Sequence, residues 1–489
     1  MVVILVFLTA LSIALSLIFT PVIRNFALRW KLVDLPGDER RVHKKPIPRL
    51  GGIALTAAYF GSCFAVSGLL SRFHIEGPFG FAAIKSITPA TLLIFFIGLL
   101  DDIFTLKAWQ KFAVQVVAGM LVVSTGVQIG GFSIFTTYPL LAKIVTVLWL
   151  VACTNAVNLI DGLDGLAAGI ALLATTTTLV ASLINGHIEL TLAAAPLAGA
   201  LLGFLVFNFN PASIFLGDSG SLVLGFLLGC YSILWSSKSA TVLGMTAPVI
   251  ALSVPLIDTT LAIARRFLRA QSIFKPDHSH IHHRLLARGL THRRTVLLLY
   301  VAASIAGIFS LGLIWAPNHC EPVILLTFAC VAIYGVRKLS YAEFEAARRV
   351  LLRGNLRRDI NTELAVQNFE AGLQAAATPY DCWAIVERAA HEFGFRATRM
   401  LFAGRMFGCQ NGHDCPRSSA IAIAISENDW VELSVGTDSV QYSNALVPFT
   451  TTMRRVLADK TMGTVHSQQR ETEAAFSTVF YETIPSVMH

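Results

Sequence analysis

The sequence predicts an all-α polytopic membrane protein of about eleven transmembrane helices, ending in a small α+β cytoplasmic domain. Three observations predict it. The chain is 54% hydrophobic and only 14% charged, where an ordinary soluble protein carries roughly 25% charged residues. The charge deficit lies before residue 340, in apolar stretches that recur at about the twenty residues needed to cross a bilayer. After residue 340 the composition becomes that of an ordinary soluble domain.

Taken in order, the spans lie near residues 3–22, 51–70, 87–104, 112–128, 141–158, 165–184, 190–207, 221–236, 243–263, 296–315 and 322–337. The first has no basic residue ahead of it and no clear small-residue cleavage site, so it reads as a retained anchor. Residues 1–340 thus form a transmembrane domain. Residues 341–375 form a helical connector, opening with the charged stretch SYAEFEAARRVLLRGNLRRD, which suits a membrane surface or a dock on the tail. Residues 376–489 form the cytoplasmic domain. There AIVERAAHEFGF is helical, and AIAIAISENDWVELSVG alternates as two strands around Glu427, Asn428 and Asp429. A GAF-like domain is the expectation. Regulation, recruitment of a partner and stabilisation of a dimer all remain open as its role.

Charge sets the orientation. The loop after span one carries Arg24, Arg29, Lys31, Arg40, Arg41, Lys44, Lys45 and Arg49. The loop after span nine carries Arg265, Arg266, Arg269, Lys275, Arg284, Arg288, Arg293 and Arg294. Loops on the other side hold little more than Arg72, Lys85 and Lys238. Basic loops stay in the cytoplasm, so the N-terminus is outside and the tail inside. Cys63, Cys153, Cys230, Cys320 and Cys330 lie in or beside spans, as small apolar fillers. Cys382, Cys409 and Cys415 belong to the reducing side, where disulfides are not expected. Cys409, His413 and Cys415 are spaced loosely like metal ligands, but three unrelated surface residues is the stronger reading.

Four polar motifs fall on the cytoplasmic edge in this topology, and of their residues only Arg284 entered the charge count. Carboxylates beside a bilayer are expensive to place and are functional candidates for that reason. Asp101 and Asp102 follow the apolar run LLIFFIGLL, at a helix end that disfavours negative charge. A cation or a substrate proton would explain them; two carboxylates in interfacial water is the plainer alternative. In NAVNLIDGLDGLA, Asn155, Asn158, Asp161 and Asp164 recur every three residues, and Gly162 and Gly165 permit close backbone approach. Such oxygen donors suit a hard cation, and an Asx-rich loop is the weaker alternative. In FLGDSGS, Asp218 is either a routine N-cap or a ligand of magnesium shared with substrate phosphates. Upstream stand Asn208, Asn210 and Pro211, and Phe215 offers an aromatic face for a base. HSHIHHR places His278, His280, His282, His283 and Arg284 in the most basic loop, where phosphate binding is preferred over a zinc site. Lys111 is a snorkelling lysine or a functional cation, and Pro48, Arg49, Gly51 and Gly52 read as a plain loop-to-helix junction.

Together, over roughly residues 1 to 340, these motifs resemble the polyprenyl-phosphate N-acetylhexosamine-1-phosphate transferase family, glycosyltransferase family 4. Its members include the undecaprenyl-phosphate N-acetylglucosamine-1-phosphate transferases and the phospho-MurNAc-pentapeptide transferases. The resemblance implies transfer of a sugar-1-phosphate from a UDP-sugar to undecaprenyl phosphate, with release of UMP, at the inner edge of a bacterial cytoplasmic membrane. It implies Asn158 and Asp218 as ligands of magnesium, with manganese an alternative. It implies Asp101 and Asp102 as carboxylates preparing the lipid phosphate, and Asp161 and Asp164 as acidic groups at the nucleotide and metal site. Lys111 matches a lysine on the nucleotide's phosphates. Asn208 and Phe215 match positions beside uracil. His280, His282 and His283, followed by Arg284, match the histidine motif near sugar and diphosphate. HIHHR, after the run ARRF, resembles the N-acetylglucosamine type, because the muramoyl branch shows three consecutive histidines. UDP-GlcNAc is therefore the expected donor. A bilayer is implied, a homodimer is compatible, and nucleic acid is not expected. Two other classes stand beside this one: a receptor or regulator signalling through the tail, and a transporter of an anionic solute. A transporter would place its polar residues at mid-membrane, which this chain does not.

Overall fold

The computed structural model describes residues 2–34, 46–73, 81–130, 133–236, 246–268, 280–317, 319–339, 356–393, 395–408, 420–426, 428–435 and 447–460. They divide into two compact units, Met1–Ala264 with Ser272–Leu339, and Arg265–Gln271 with Ser340–His489.

The first unit is a helical bundle. Its helices are α1 (Val2–Arg29), α2 (Gly51–Arg72), α3 (Ala82–Phe104), α4 (Ala108–Ser124), α5 (Ser133–Thr137), α6 (Pro139–Ile160), α7 (Leu166–Ile184), α8 (Ile188–Asn208), α9 (Asp218–Ser236), α10 (Thr246–Ala251), α11 (Ser253–Leu268, of which the part up to Ala264 belongs to this unit), α12 (Ile281–Ala287), α13 (His292–Trp315) and α14 (Glu321–Lys338). Two short strands, β1 (Val33–Asp34) and β2 (Ile47–Pro48), pair antiparallel between α1 and α2. Helix α9 is the hub: all but Asp218 and Leu234 of its residues are buried, and α2, α3, α6 and α7 pack on it. Helices in lipid gain little from apolar burial and rely on close approach and interhelical hydrogen bonds. Both devices are present. A Cβ at Gly98 of α3 would stand 2.6 Å from the Asp218 carbonyl oxygen, so only glycine permits this crossing. Ser12 and Ser16 of α1 donate to the carbonyls of Pro196 and Ala200 on α8 at 2.7 and 2.8 Å.

Among the described residues, eight helices are long and apolar enough to cross a membrane: α1, α2, α3, α6, α7, α8, α9 and α13. The chain is thus a multi-pass membrane protein. The expected count of eleven is not confirmed, because three expected spans do not meet that measure among the described residues. Helix α4 is apolar but only 17 residues long. Helix α14 has 18 residues, yet Glu321, Arg337 and Lys338 occupy its ends. The ninth expected span is two helices, α10 and α11, broken at Leu252. Asp258, Arg265 and Arg266 give α11 a polar side that a lipid-facing helix would not carry.

The second unit is a small α+β domain. Helices α15 (Leu356–Ala375) and α16 (Pro379–Glu392) precede strands β3 (Phe395–Phe402), β4 (Arg405–Phe407), β5 (Ala420–Ala424) and β6 (Trp430–Val435), and a last helix, α17, covers 447–460. The strands form one antiparallel sheet in the order β4-β3-β6-β5. The expected hairpin is β5–β6, with Ala424 opposite Trp430. Thr378 caps α16 through a capping box with Asp381. Val366, Phe369 and Leu373 of α15 enter one core with Val386, Met400, Leu433, Phe449 and Leu457. The C-terminal half of the expected connector is therefore core of this domain. The connector's opening stretch, and Cys409, His413 and Cys415, lie outside the described residues.

Candidate active site

The site forms where the C-terminal ends of α3 and α6 meet the N-terminal ends of α4 and α9. Helix α3 runs through Asp101 and Asp102 and ends at Thr105. Lys111 stands one turn into α4, and its Nζ lies 2.8 Å from Asp101 Oδ2 and 2.7 Å from Asp218 Oδ2. One ammonium thus joins two motifs that stand 117 residues apart in the chain. The geometry favours a shared functional cation over a snorkelling lysine.

The two neighbouring aspartates do different work. Asp101 takes Lys111 and also accepts the Leu106 amide at 2.5 Å. Asp102 accepts the amides of Asp218 and Ser219 at 2.7 and 3.0 Å. These are orphan N–H groups at the start of α9, so Asp102 caps that helix from across the interface. Asp218 is consequently not its own helix's cap, and its carboxylate is left to face Lys111.

The loop from α6 to α7 supplies the next wall. Asn158 donates to Ser221 Oγ at 2.9 Å, and Asn155 donates to Gln115 at 2.6 Å, tying α6 to α9 and to α4. Asp161 ends α6, half-buried, and its carboxylate has no hydrogen-bond partner among the described residues. The surrounding protein raises its pKa well above the ordinary carboxylate range, and the charges of Asp218, Asp102 and Asp164 raise it further, partly offset by Arg49. Asp164 accepts from Asn210 Nδ2 and from the Ala212 amide, both at 3.0 Å, and so anchors the segment between α8 and α9.

That segment is held on its other side too. Asn208 is buried and donates to the Ile214 carbonyl at 2.9 Å, so it shapes the turn. The Phe215 amide donates to Pro48, and the amides of Gly51 and Gly52 donate to Phe215 and Leu216 at 3.0 and 2.8 Å. Pro48 to Gly52, which read as a plain junction, therefore form the backing of the FLGDSGS loop. The only sequence signal for this was the glycine pair ahead of an apolar run.

The histidine segment is fixed by a residue that sequence reasoning missed. Asp258 of α11, 1% exposed, meets His280 Nδ1 at 2.9 Å and accepts the Ile281 amide at 2.8 Å. Its signal was a lone carboxylate in the apolar run SVPLIDTTLAIA. The rings of His280 and His282 lie nearly parallel, 5.9 Å apart, and His283 packs on His282 at 4.3 Å. His282 is buried, with both ring nitrogens lacking hydrogen-bond partners among the described residues. Burial, then the charges of His283 and His280, push its pKa down to about 3 against the pull of Asp258, so it stays neutral. The ring lies against Gly162, where any Cβ would strike it. The histidines thus reach the Asp161–Gly165 loop. Arg284 goes elsewhere, donating to the Leu339 carbonyl at 3.1 Å past the end of α14. His278 lies outside the described residues.

Among the described residues, no three His, Cys, Asp or Glu side chains form a ready metal cage. Magnesium does not need one, since one or two carboxylates plus substrate phosphates suffice. The donors here fit it: all are oxygens, Asp161 has no hydrogen bond among the described residues, and the mutual repulsion of Asp161, Asp218, Asp102 and Asp164 is what a dication would relieve.

Comparison with known proteins converges on the same region. Residues 84–236 match the family described as Glycosyl transferase family 4. A "Probable undecaprenyl-phosphate N-acetylglucosaminyl 1-phosphate transferase" of Bacillus subtilis is 41% identical over 313 residues, covering 62% of this chain and 82% of the relative. A "Decaprenyl-phosphate N-acetylglucosaminephosphotransferase" of Mycolicibacterium smegmatis is 37% identical, covering 57% of this chain and 74% of the relative. A "Phospho-N-acetylmuramoyl-pentapeptide-transferase" of Shouchella clausii is 30% identical, covering 62% of this chain and 95% of the relative.

Proposed function

We propose a reaction for this chain, which belongs to glycosyl transferase family 4 and is a phosphotransferase acting on a polyprenyl phosphate: it moves N-acetylglucosamine-1-phosphate from UDP-GlcNAc to undecaprenyl phosphate and releases UMP. The observation that carries this reading is the Lys111 ammonium held between Asp101 and Asp218, with Asp161 within electrostatic reach of Asp218 and Asn158 bonded to Ser221 of the same helix. It is a polar, charged nest at one end of an apolar bundle, where a membrane lipid and a soluble nucleotide can meet. The names of the relatives at 41% and 37% identity carry N-acetylglucosamine, in keeping with the HIHHR motif, and favour that sugar.

In this reading an oxygen of the lipid phosphate attacks the β-phosphorus of the donor. The bond from that phosphorus to the bridging oxygen breaks, and UMP leaves. Asp101, steadied by Lys111 and the Leu106 amide, orients the lipid phosphate. Lys111 screens the carboxylates from each other and meets the nucleotide's phosphates. Asn158 and Asp218 would hold magnesium, with Asp161 alongside; when bound, the ion neutralises the diphosphate and the charge developing on UMP. Asp102 and Asp164 hold backbone and set the distances between these groups. The histidines close the site over the Asp161–Gly165 loop. Positive-inside logic supports a cytoplasmic site and tail, in a bacterial cytoplasmic membrane.

The test is UMP release by detergent-purified full-length protein given both substrates, with and without magnesium, beside Asp218→Ala. Release that requires the lipid, magnesium and Asp218 is expected. Release only with a different UDP-sugar would replace the donor. No release with any UDP-sugar, from folded protein, would overturn the reaction.

A further inference from the structure

The seven residues of α12 are too few to hold a helix by themselves. Something must fix this segment, because His282 brings the Nε2 edge of its ring against Gly162, in the loop that carries Asp161 and Asp164. Asp258 is placed to do so. It is 1% exposed, and each of its oxygens is engaged by this one segment: Oδ2 with His280 Nδ1 at 2.9 Å, Oδ1 with the Ile281 amide at 2.8 Å. His280 itself is 4% exposed and stacked on His282. A carboxylate can only accept, so His280 Nδ1 carries a proton and Nε2 is the nitrogen left for other work. A buried carboxylate behind an imidazole fixes both its tautomer and its orientation, as carboxylates do behind metal-bound and catalytic histidines.

We propose that Asp258 is a positioning residue of this enzyme: it clamps His280 in the Nδ1–H tautomer and the start of α12 in place, and through them holds His282 on the Asp161–Gly165 loop. It acts through the histidines, from a different helix and from outside the four polar motifs. The kinetic part of the inference rests on the reaction proposed above; the tautomer does not.

The test uses full-length protein and the UMP-release assay. Asp258→Asn keeps the size and one acceptor for the Ile281 amide, but it turns an NH2 toward His280 and so inverts the tautomer. The expected result is a kcat lower by about 10- to 100-fold, the usual effect of losing a carboxylate behind a functional histidine. KM for UDP-GlcNAc should stay within about threefold, because substrate contacts are intact. In a His280→Ala background the same substitution should change kcat no further, since the two act as one unit. Undiminished kcat in Asp258→Asn, or an equal loss in both backgrounds, would overturn the proposal. If Asp258→Asn does not purify as a monodisperse species, Asp258→Glu, which retains the carboxylate at a changed distance, carries the same cycle. Independently of turnover, 15N-histidine labelling should show His280 protonated at Nδ1 in the parent protein. An Nε2–H tautomer there would refute the clamp. Should the parent protein release no UMP at all, the reaction falls, and the tautomer alone decides the clamp.

Discussion

Replacing Asp102 by asparagine separates two roles that neighbouring aspartates at a helix end would otherwise share. Asp102 accepts two amides at the start of α9, at 2.7 and 3.0 Å. Hydrogen bonds to a charged group contribute about 1.5–3 kcal/mol each, and a neutral one about 1 kcal/mol. Asparagine keeps one acceptor and turns an NH2 toward the other amide. The loss is then about 2–5 kcal/mol, before any relief of repulsion with Asp218, which favours the lower end. About 2 kcal/mol should lower the melting temperature in detergent by several degrees. Turnover should fall as well, since Asp218 begins the helix that loosens, and displacements near 1 Å at a reacting centre cost about 100-fold. Asp101→Asn, which disturbs no helix cap, should lose turnover with a much smaller thermal shift. The assay is paired: intrinsic-fluorescence melting and UMP release on the same preparations. If Asp102→Asn melts like the parent protein yet is inactive, the carboxylate is needed for chemistry and the capping argument is wrong.

Three further outcomes follow from the geometry. Lys111→Gln removes the one ammonium shared by Asp101 and Asp218, so turnover should drop by at least about 100-fold, and Lys111→Arg should not restore it, because the planar fork cannot occupy the same point; near-normal rates in either variant would count against the bridge. Gly162→Ala drives a Cβ into the His282 ring and should cost about 1–3 kcal/mol of stability, much of it recovered in Gly162→Ala/His282→Ala; melting curves that are additive across the pair would deny the contact. Acid should weaken the first unit through His282. Its folded pKa is about 3 and its unfolded value about 6.5, so between these the unfolded chain binds a proton that the folded protein refuses. The stability held above pH 6.5 is therefore lost as pH falls toward 3, by about 2 kcal/mol at pH 5, and the melting temperature of His282→Gln should change less between pH 7.5 and 5; equal slopes would exclude His282 as the source.

Much of this was legible in the sequence because membranes make polar residues conspicuous. Asp101, Asp102, Asn158, Asp161, Asp164, Asp218 and the histidines stand out against apolar runs, and loop charge together with the expected span count reads them onto one side. The β5–β6 hairpin was legible for a different reason, since alternation has a period of two. What the sequence hid were pairings across distance. Nothing in FLGDSGS says that the amides of its Asp218 and Ser219 are capped from α3, or that Pro48 to Gly52 will back it. Asp258 was hidden because one carboxylate in an apolar helix does not make a motif. The ninth span looked continuous because hydropathy averages over the break at Leu252 and over the polar side of α11.

The site also answers a physical difficulty, that of gathering carboxylates at the end of an apolar bundle without the charges driving it apart. Of the six acidic residues in and around it, three are engaged by backbone of distant segments, while Asp101 accepts the Leu106 amide just past the end of its own helix. Asp102 takes the amides of Asp218 and Ser219, Asp164 takes Ala212, and Asp258 takes Ile281. Each amide is an oriented partial positive charge that does not titrate, so these three are stabilised without mobile cations. Each also joins a different pair of segments: α3 to α9, the α6–α7 loop to the loop before α9, and α11 to α12. The same negative charges that would repel are thereby the fasteners that set the distances between motifs. Three carboxylates remain for chemistry. Asp101 and Asp218 share Lys111, and Asp161 stands without a hydrogen bond among the described residues, its pKa raised by burial and then by the neighbouring carboxylates. A dication and a pair of phosphates would be drawn to that remainder, and the fastened three would stay where they are. Substitutions in the first set should therefore disturb melting and turnover together, and those in the second turnover with a much smaller thermal shift, which makes the ratio of the two effects a residue-by-residue reading of the division.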